Sequence, residues 1–474
     1  MKKNTLFTLI LLISFATQLL FCQTSEPPSN FNEENAGTEE NPYLISNLEN
    51  LRWLSGSLNV FSNPNFHYLQ TNDIDAISTK EWKYGFWGIG YYDEWSEERP
   101  FRGHYDGGNF KIKNIHAFNQ PDFPLLGESV IYNSLFGVTN GATIKNVNLE
   151  NFTIISARPL IGVLINSAKN TSVINCSIVG TITLIANMDF PHFRYGGSLI
   201  TGASNSYIEN CYSSATVIIN EPTNDSIAGL IFGLHNSTLI NSYFNGKIIA
   251  EPISTDHYAL IYSTTNSFIQ NCYVASKSDF DNVISFVNRL ETTTISNNVW
   301  DFEVSGITLL YNELIGDDNI IENNLSLSSA EMKRVKIYEE SGWDFETVWA
   351  INPNFNDGYP FLRSHHPEIE HVTEKDNVIK PINQTWVYPN PVLGSEVNIK
   401  STSRNNSLEV TIYNIRGQLI NRSNEFFTKD GESVFTWNKR DMNNNEVTSG
   451  VYFYKIVDPN DKNSVHHGRF LILK

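Results

Sequence analysis

The chain has 474 residues and a formal net charge of -18. That length allows two or three domains with a sizeable core. The acidity disfavours nucleic acid and anionic membrane surfaces as partners, and the wealth of Asn, Ser, Thr, Ile and Tyr favours strands and turns over helices.

The opening "MKKNTLFTLILLISFATQLLFCQ" has a basic start and an apolar run from Leu6 to about Leu20. It reads as a secretory signal over residues 1–22, too short in its apolar run to span a membrane. No other stretch is long and apolar enough, so no transmembrane segment is expected after its removal. Cys22 leaves with the signal or carries a lipid, and Phe21 before it disfavours the lipid. Residues 23–36 are expected to be a disordered linker.

In "SNLENLRWLSG", Ser46 and Glu49 stand at capping-box spacing, with Leu48, Leu51 and Leu54 on one side and Gly56 as a stop. A short helix is predicted there, capping the N-terminal side of the repetitive middle of the chain. Asp73 and Asp75 lack the partners of a calcium loop. The segment "EWKYGFWGIGYYDEWSEERPF" reads first as the core of this cap. Its Trp82, Tyr84, Tyr91, Tyr92 and Trp95 are also candidates for a glycan platform.

From Ile112 the chain repeats itself. An aliphatic anchor followed two positions later by Asn recurs at Ile112, Ile144, Val173, Ile208, Leu239, Ile269 and Ile295, at separations of 26 to 35 residues. A second apolar pair, such as Leu230-Ile231, ends eight residues before most anchors. Repeats of this length in strand-forming residues imply a solenoid whose units cannot bury their apolar faces alone. The pattern predicts an all-β, right-handed parallel β-helix with short helical caps over residues 37–363. Asn tolerates left-handed backbone angles, so each Asn is expected at a corner, with stacked corner amides bonded along the axis.

Cys176, Cys211 and Cys272 remain after signal removal, an odd number that argues against a disulfide framework. They read as small buried thiols, and no second Cys or His stands at metal-ligand spacing. No metal or cofactor is expected. Four positions after three successive anchors stand Tyr212, Tyr243 and Tyr273. Their phase predicts an outward-facing stack, either a ladder that holds sugar rings or simply cross-strand stacking that steadies the sheet. Glycan-cleaving enzymes on this scaffold need acids clustered on neighbouring coils. The outward column after each anchor stacks no two acids, and the histidines share no register.

Past the last coil, "SSAEMKRV" places Ser328 and Glu331 in a second capping box, predicting a helix at the far end. The words "GTEENPYLISNLENLRWLS" from Gly37, "PFRGHYDGGNFKIKNI" from Pro100, "GLIFG" from Gly229 and "GWDFETVWAINPNFNDGYPFLR" from Gly342 resemble bacterial surface proteins carrying the GLUG motif. That resemblance implies a β-helical, adhesin-like surface protein.

Residues 364–385 are polar and Pro-punctuated and read as a linker. After it, alternating strands with Asn-Pro and Arg-Gly turns predict a small β-sandwich over residues 386–474. This part closely resembles the type A C-terminal sorting domain of the bacterial type IX secretion system. The matching residues are Tyr388, Pro389, Asn390, Pro391, Tyr413, Asn414, Gly417, Ser449, Gly450, Val451, Tyr452 and the final Lys474. The resemblance implies the type IX secretion machinery as a partner and export to the outside or outer surface of a Bacteroidota-type cell. The resulting expectation is an exported β-helix that binds carbohydrate or a host or matrix surface. The alternatives are a polysaccharide lyase or glycosidase on the same scaffold, and a passive spacer.

Overall fold

The computed structural model describes residues 24–83, 85–92, 98–119, 133–156, 160–186, 195–220, 226–251, 256–278, 285–372, 385–388, 390–392, 394–401, 408–429, 432–458 and 461–473. They fall into two compact units that divide after Thr373.

In the first unit, most of the described strands form three long parallel sheets of ten, twelve and seven strands and a short parallel sheet of four, beside two small antiparallel pairs. Each sheet gathers strands from successive coils, which is the parallel β-helix. Six of the seven anchors lie in one column of the ten-stranded sheet. Ile144 pairs with Val173, and the column runs on through Ile208, Leu239, Ile269 and Ile295 to Ile321. From Ile144 to Ile295 each is 0% exposed. Fully burying such a side chain stabilises by about 1.5–3 kcal/mol, so the column is the spine of the core.

Ile112 departs from the expected column. It pairs with Ile74 and Leu149 in the twelve-stranded sheet, and the position before Ile144 belongs to Tyr105. The word at Ile112 is the same because a strand leading into a left-handed Asn occurs at more than one place on the coil.

All seven expected corner residues, from Asn114 to Asn297, have φ between 49° and 59°, and an eighth, Asn323, has φ 49°. A second left-handed corner runs through Asn170, Asn205, Asn236, Asn266 and Thr292. Amide bonds climb from coil to coil in places, Asn175 Nδ2 to Asn146 Oδ1 at 3.3 Å and Asn266 Nδ2 to Asn236 Oδ1 at 2.7 Å. At the second corner hydroxyls take over, with the Ser206 and Ser237 amides donating to Ser237 Oγ and Ser267 Oγ. The three cysteines are buried and unbridged, and burial raises the Cys272 thiol to about 12.

The N-terminal end is closed. The helix Leu48–Gly56 plugs it with Leu51 and Leu54, and its N-cap is Asn47, which accepts from Asn50 N, rather than Ser46. Residues 24–36 are not a disordered linker. Phe31 packs between Tyr43 and Trp53, and Asn30 both donates to Pro42 O and accepts from Leu44 N. The chain is fixed there because Asn30 satisfies backbone groups that the first coil would otherwise leave open.

The C-terminal capping box forms, with Ser328 Oγ donating to Glu331 Oε2 and accepting from Glu331 N. It starts a single turn, Glu331–Lys333, and then the helix Val335–Glu340. These elements pack beside the tube rather than over its end, in a cluster with Tyr212, Tyr243 and Tyr273. The last coil therefore leaves core-column residues uncovered, with Ile321 40% and Leu314 44% exposed.

The second unit is built of two four-stranded antiparallel sheets. Val397, Ile399 and Trp437 of one sheet share a core with Val410, Ile412, Tyr452 and Phe470 of the other. It is a small β-sandwich, as the alternating strands require.

Candidate functional site

Tyr212, Tyr243 and Tyr273 pair in register on neighbouring coils and point away from the tube core. Their rings stack with centroids 4.7 Å apart at interplanar angles of 6° and 10°. The ladder therefore exists, but it is not a surface. The three residues are 6%, 2% and 0% exposed, because the segment after the last coil returns along the side of the tube and covers them. Trp343, Trp349 and Tyr359 lie against the rings. Tyr273 OH donates to Pro360 O at 2.7 Å, and Trp343 Nε1 donates to Asn297 O at 2.8 Å. Buried Asp301 accepts from Tyr359 OH at 2.6 Å, and burial, with this contact second, holds the Tyr359 hydroxyl protonated. The ladder is part of a core, so the steadying role applies and the sugar-holding role does not.

The same strap corrects the linker expected from residue 364. His365 Nε2–H donates to the corner carbonyl Asn210 O at 3.0 Å, and its ring meets Tyr212 edge-on. Because a carbonyl can only accept, that nitrogen carries a proton, and burial rather than this bond keeps the ring neutral. Burial lowers the His365 pKa to about 4. His371 Nδ1 accepts from Ile351 N, so it too is held neutral, and burial lowers its pKa. Residues 373–384 lie outside the described residues.

The N-terminal aromatic candidates divide. Trp82 is 5% exposed and Tyr91 packs against the core, so both serve the cap. Arg52 lies over Trp87 at 4.7 Å and reaches towards Trp82 at 5.9 Å. Tyr84, Trp95 and the side chain of Tyr92 are outside the described residues.

The aromatics that do face solvent stand elsewhere. On the outer face of the ten-stranded sheet, Tyr207, Thr238 and Phe268 occupy one column on successive coils. Tyr207 is 36% exposed and Phe268 is half-buried. Two coils separate them, about 10 Å at ordinary strand spacing. Among the described residues no ring stacks on either. Beside them stand Glu209 and Gln270, two residues along their strands and on the same face. Burial and the neighbouring Glu209 push the Tyr207 hydroxyl up to about 12. Phe232 and Tyr262 form another outward pair, but they stack on each other at 4.3 Å and 7°, so each covers a face of the other. Reading only the positions after the anchor missed Tyr207 and Phe268, which stand immediately before it. The alternation in "YIE" and "FIQ" was the available signal.

Among the described residues, no group of three or more His, Cys, Asp or Glu side chains is placed to hold a metal ion. No helix there is long and apolar enough to cross a membrane.

In the second unit, the motif residues build turns and strand starts. Asn414 Oδ1 accepts from Arg416 N and Gln418 N at 3.0 Å, and Gly417 completes that turn at φ 74°. Asn390 Oδ1 accepts from Leu471 N at 3.0 Å, tying the motif to the last strand. Tyr452, beside Gly450 and Val451, is buried and its hydroxyl donates to Thr448 O. Tyr388 lies in the first strand and Ser449 just before a later one, while Pro389 and Lys474 fall outside the described residues.

Residues 386–468 match the family of secretion system C-terminal sorting domains. The chain is 25% identical over 131 residues to a provisionally named Gly-rich membrane protein of Evansella cellulosilytica, a match spanning 26% of this chain and 14% of that one. Among solved structures it is similar to PorZ, a surface component of the type-IX secretion system of Porphyromonas gingivalis. There the identity is 26% and the TM-score 0.15, over 19% of this chain and 11% of PorZ. A candidate immunoglobulin A1 protease from Bacteroides ovatus is similar at 19% identity and TM-score 0.44, over 69% of this chain and 94% of that one.

Proposed function

We infer that the C-terminal unit is a type IX secretion sorting domain, and that this system exports the protein to the extracellular or cell-surface space of a Bacteroidota cell. We propose that the exported β-helix is a binding protein for extended polysaccharide, and that it binds without cleaving. The observation that carries this reading is the column of Tyr207 and Phe268 on the flat outer face, each ring free of a stacked neighbour among the described residues. A ring that is not stacked on another can offer a face to the C–H side of a sugar, whereas the buried tyrosines and the Phe232–Tyr262 pair spend their faces on each other. Glu209 and Gln270 supply acceptors, and Gln270 a donor, for sugar hydroxyls beside those rings.

A glycan array probed with the mature protein tests this. Binding that drops on Tyr207→Ala and Phe268→Ala supports the reading. A blank array favours the spacer, and release of reducing ends or unsaturated products favours the enzyme.

A further inference from the structure

A β-helix has two ends, and among the described residues only the first of them is closed. At the N-terminal end, the helix Leu48–Gly56 covers the core with Leu51 and Leu54, both 0% exposed. At the other end, the strands Leu309–Ile315, Ile320–Glu322 and Leu325–Leu327 are the terminal strands of the seven-, ten- and twelve-stranded sheets. Each pairs with the coil before it and presents its other edge outward. Two core columns stop there in the open, the anchor column at Ile321 and the column of Leu234, Thr264 and Leu290 at Leu314. Leu309 and Ile320 add further exposed apolar surface, at 39% and 50%. The segment that a cap would use is committed to the side of the tube, over the tyrosine ladder. Open edges in register above an apolar floor are a template for another strand.

Charge selects what that strand is. From Gly306 to Leu327 the chain holds four acids, Glu313, Asp317, Asp318 and Glu322, and no Lys or Arg. A second copy joined end to end at this coil would set four carboxylates against four, and like charges brought together this way oppose association. A second copy joined head to tail would meet the closed N-terminal end. We propose that the open C-terminal end of the β-helix docks an extended segment of a partner protein, alternately apolar and basic, which adds as one further rung. Apolar side chains of that segment cover Ile321 and Leu314. Its Lys or Arg side chains meet the four acids, and its backbone completes the open edges by strand addition. This inference stands apart from the glycan reading, which uses Tyr207 and Phe268 on the flank of the tube.

The test uses the mature protein and two short fluorescent peptides, one alternating Lys with Val and one alternating Glu with Val, read by anisotropy. The Lys/Val peptide is expected to bind and the Glu/Val peptide to fail. Ile321→Asp removes apolar floor while adding negative charge, so it separates strand addition from general attraction to an acidic protein. Binding at least about tenfold weaker in Ile321→Asp supports the proposal, and binding unchanged or tighter overturns it. Glu313→Lys combined with Glu322→Lys is expected to reverse the peptide preference, and an unaltered preference overturns the proposal. Failure of the wild-type protein to bind the Lys/Val peptide does the same. A dimer in light scattering that Ile321→Asp dissociates would also overturn it, by making the occupant a second copy. Both sets of substitutions sit at exposed or half-exposed positions of the last coil, and an unchanged urea midpoint confirms that the fold is intact.

Discussion

Removing the central rung of the tyrosine ladder tests directly whether it is core or surface. Tyr243 is 2% exposed and lies between Tyr212 and Tyr273, with ring centroids 4.7 Å to either side. Tyr243→Ala deletes a buried aromatic side chain, a change that costs about 3–5 kcal/mol when the surroundings cannot collapse. The two ring stacks account for about 1–3 kcal/mol of that. Collapse is restricted here because the neighbouring rungs are held by strand pairing on one side and by Trp349 and Tyr359 on the other. Tyr243→Phe keeps both stacks and should lose less than about 1 kcal/mol. Tyr207→Ala, on the open face, should change stability by no more than about 0.5 kcal/mol. Urea unfolding followed by tryptophan fluorescence is the assay, since Trp343 and Trp349 sit in the same cluster. Equal midpoints for Tyr243→Ala and Tyr207→Ala would refute the reasoning.

Acid should loosen the strap. The His365 pKa falls from 6.5 in the free chain to about 4 in the fold, so folding favours the neutral ring. Its contribution is complete above 6.5 and is lost as pH falls towards about 4, roughly 3 kcal/mol in all at about 1.4 kcal/mol per unit. His366 and His371 are lowered in the same direction by burial. The urea midpoint should therefore fall across that window, and His365→Gln should flatten the fall. At the corner, Asn241 holds φ 49°, so Asn241→Ala should cost about 1–2 kcal/mol by thermal or urea unfolding and Asn241→Gly should recover part of it. Deleting residues 386–474 should leave the protein inside the cell in a fractionation immunoblot, and undiminished appearance in the medium would contradict the role of the sorting domain.

The coil was legible because its geometry repeats. Every coil needs a buried aliphatic residue before a left-handed turn, and Ile, Val or Leu followed two positions later by Asn records that need from Ile144 to Ile295. The coil at Ile321 escaped notice although Asn323 follows at the same spacing, because the pair ending eight residues earlier, Asn312-Glu313, is polar. The tyrosine stack was legible as a stack, since register alone places Tyr212, Tyr243 and Tyr273 on one column. Its burial was not, because the cover comes from residues 343–366, and no local pattern says where a segment far along the chain will pack. The second capping box behaves in the same way. Ser328 and Glu331 form the bonds their spacing predicts, yet those bonds fix a turn and not the surface it packs on. Asn30 and Phe31 were hidden in a polar stretch, where composition suggested disorder and two side chains decide otherwise.

The most direct test is hydroxyl-radical footprinting of the native mature protein, comparing modification of Tyr207 with that of Tyr212, Tyr243 and Tyr273. Fast labelling of Tyr207, with the other three protected until the protein unfolds, is the result this structure requires. Labelling of Tyr243 at the rate of Tyr207 would mean that the strap does not cover the tube, and both the buried ladder and the choice of binding face would fall.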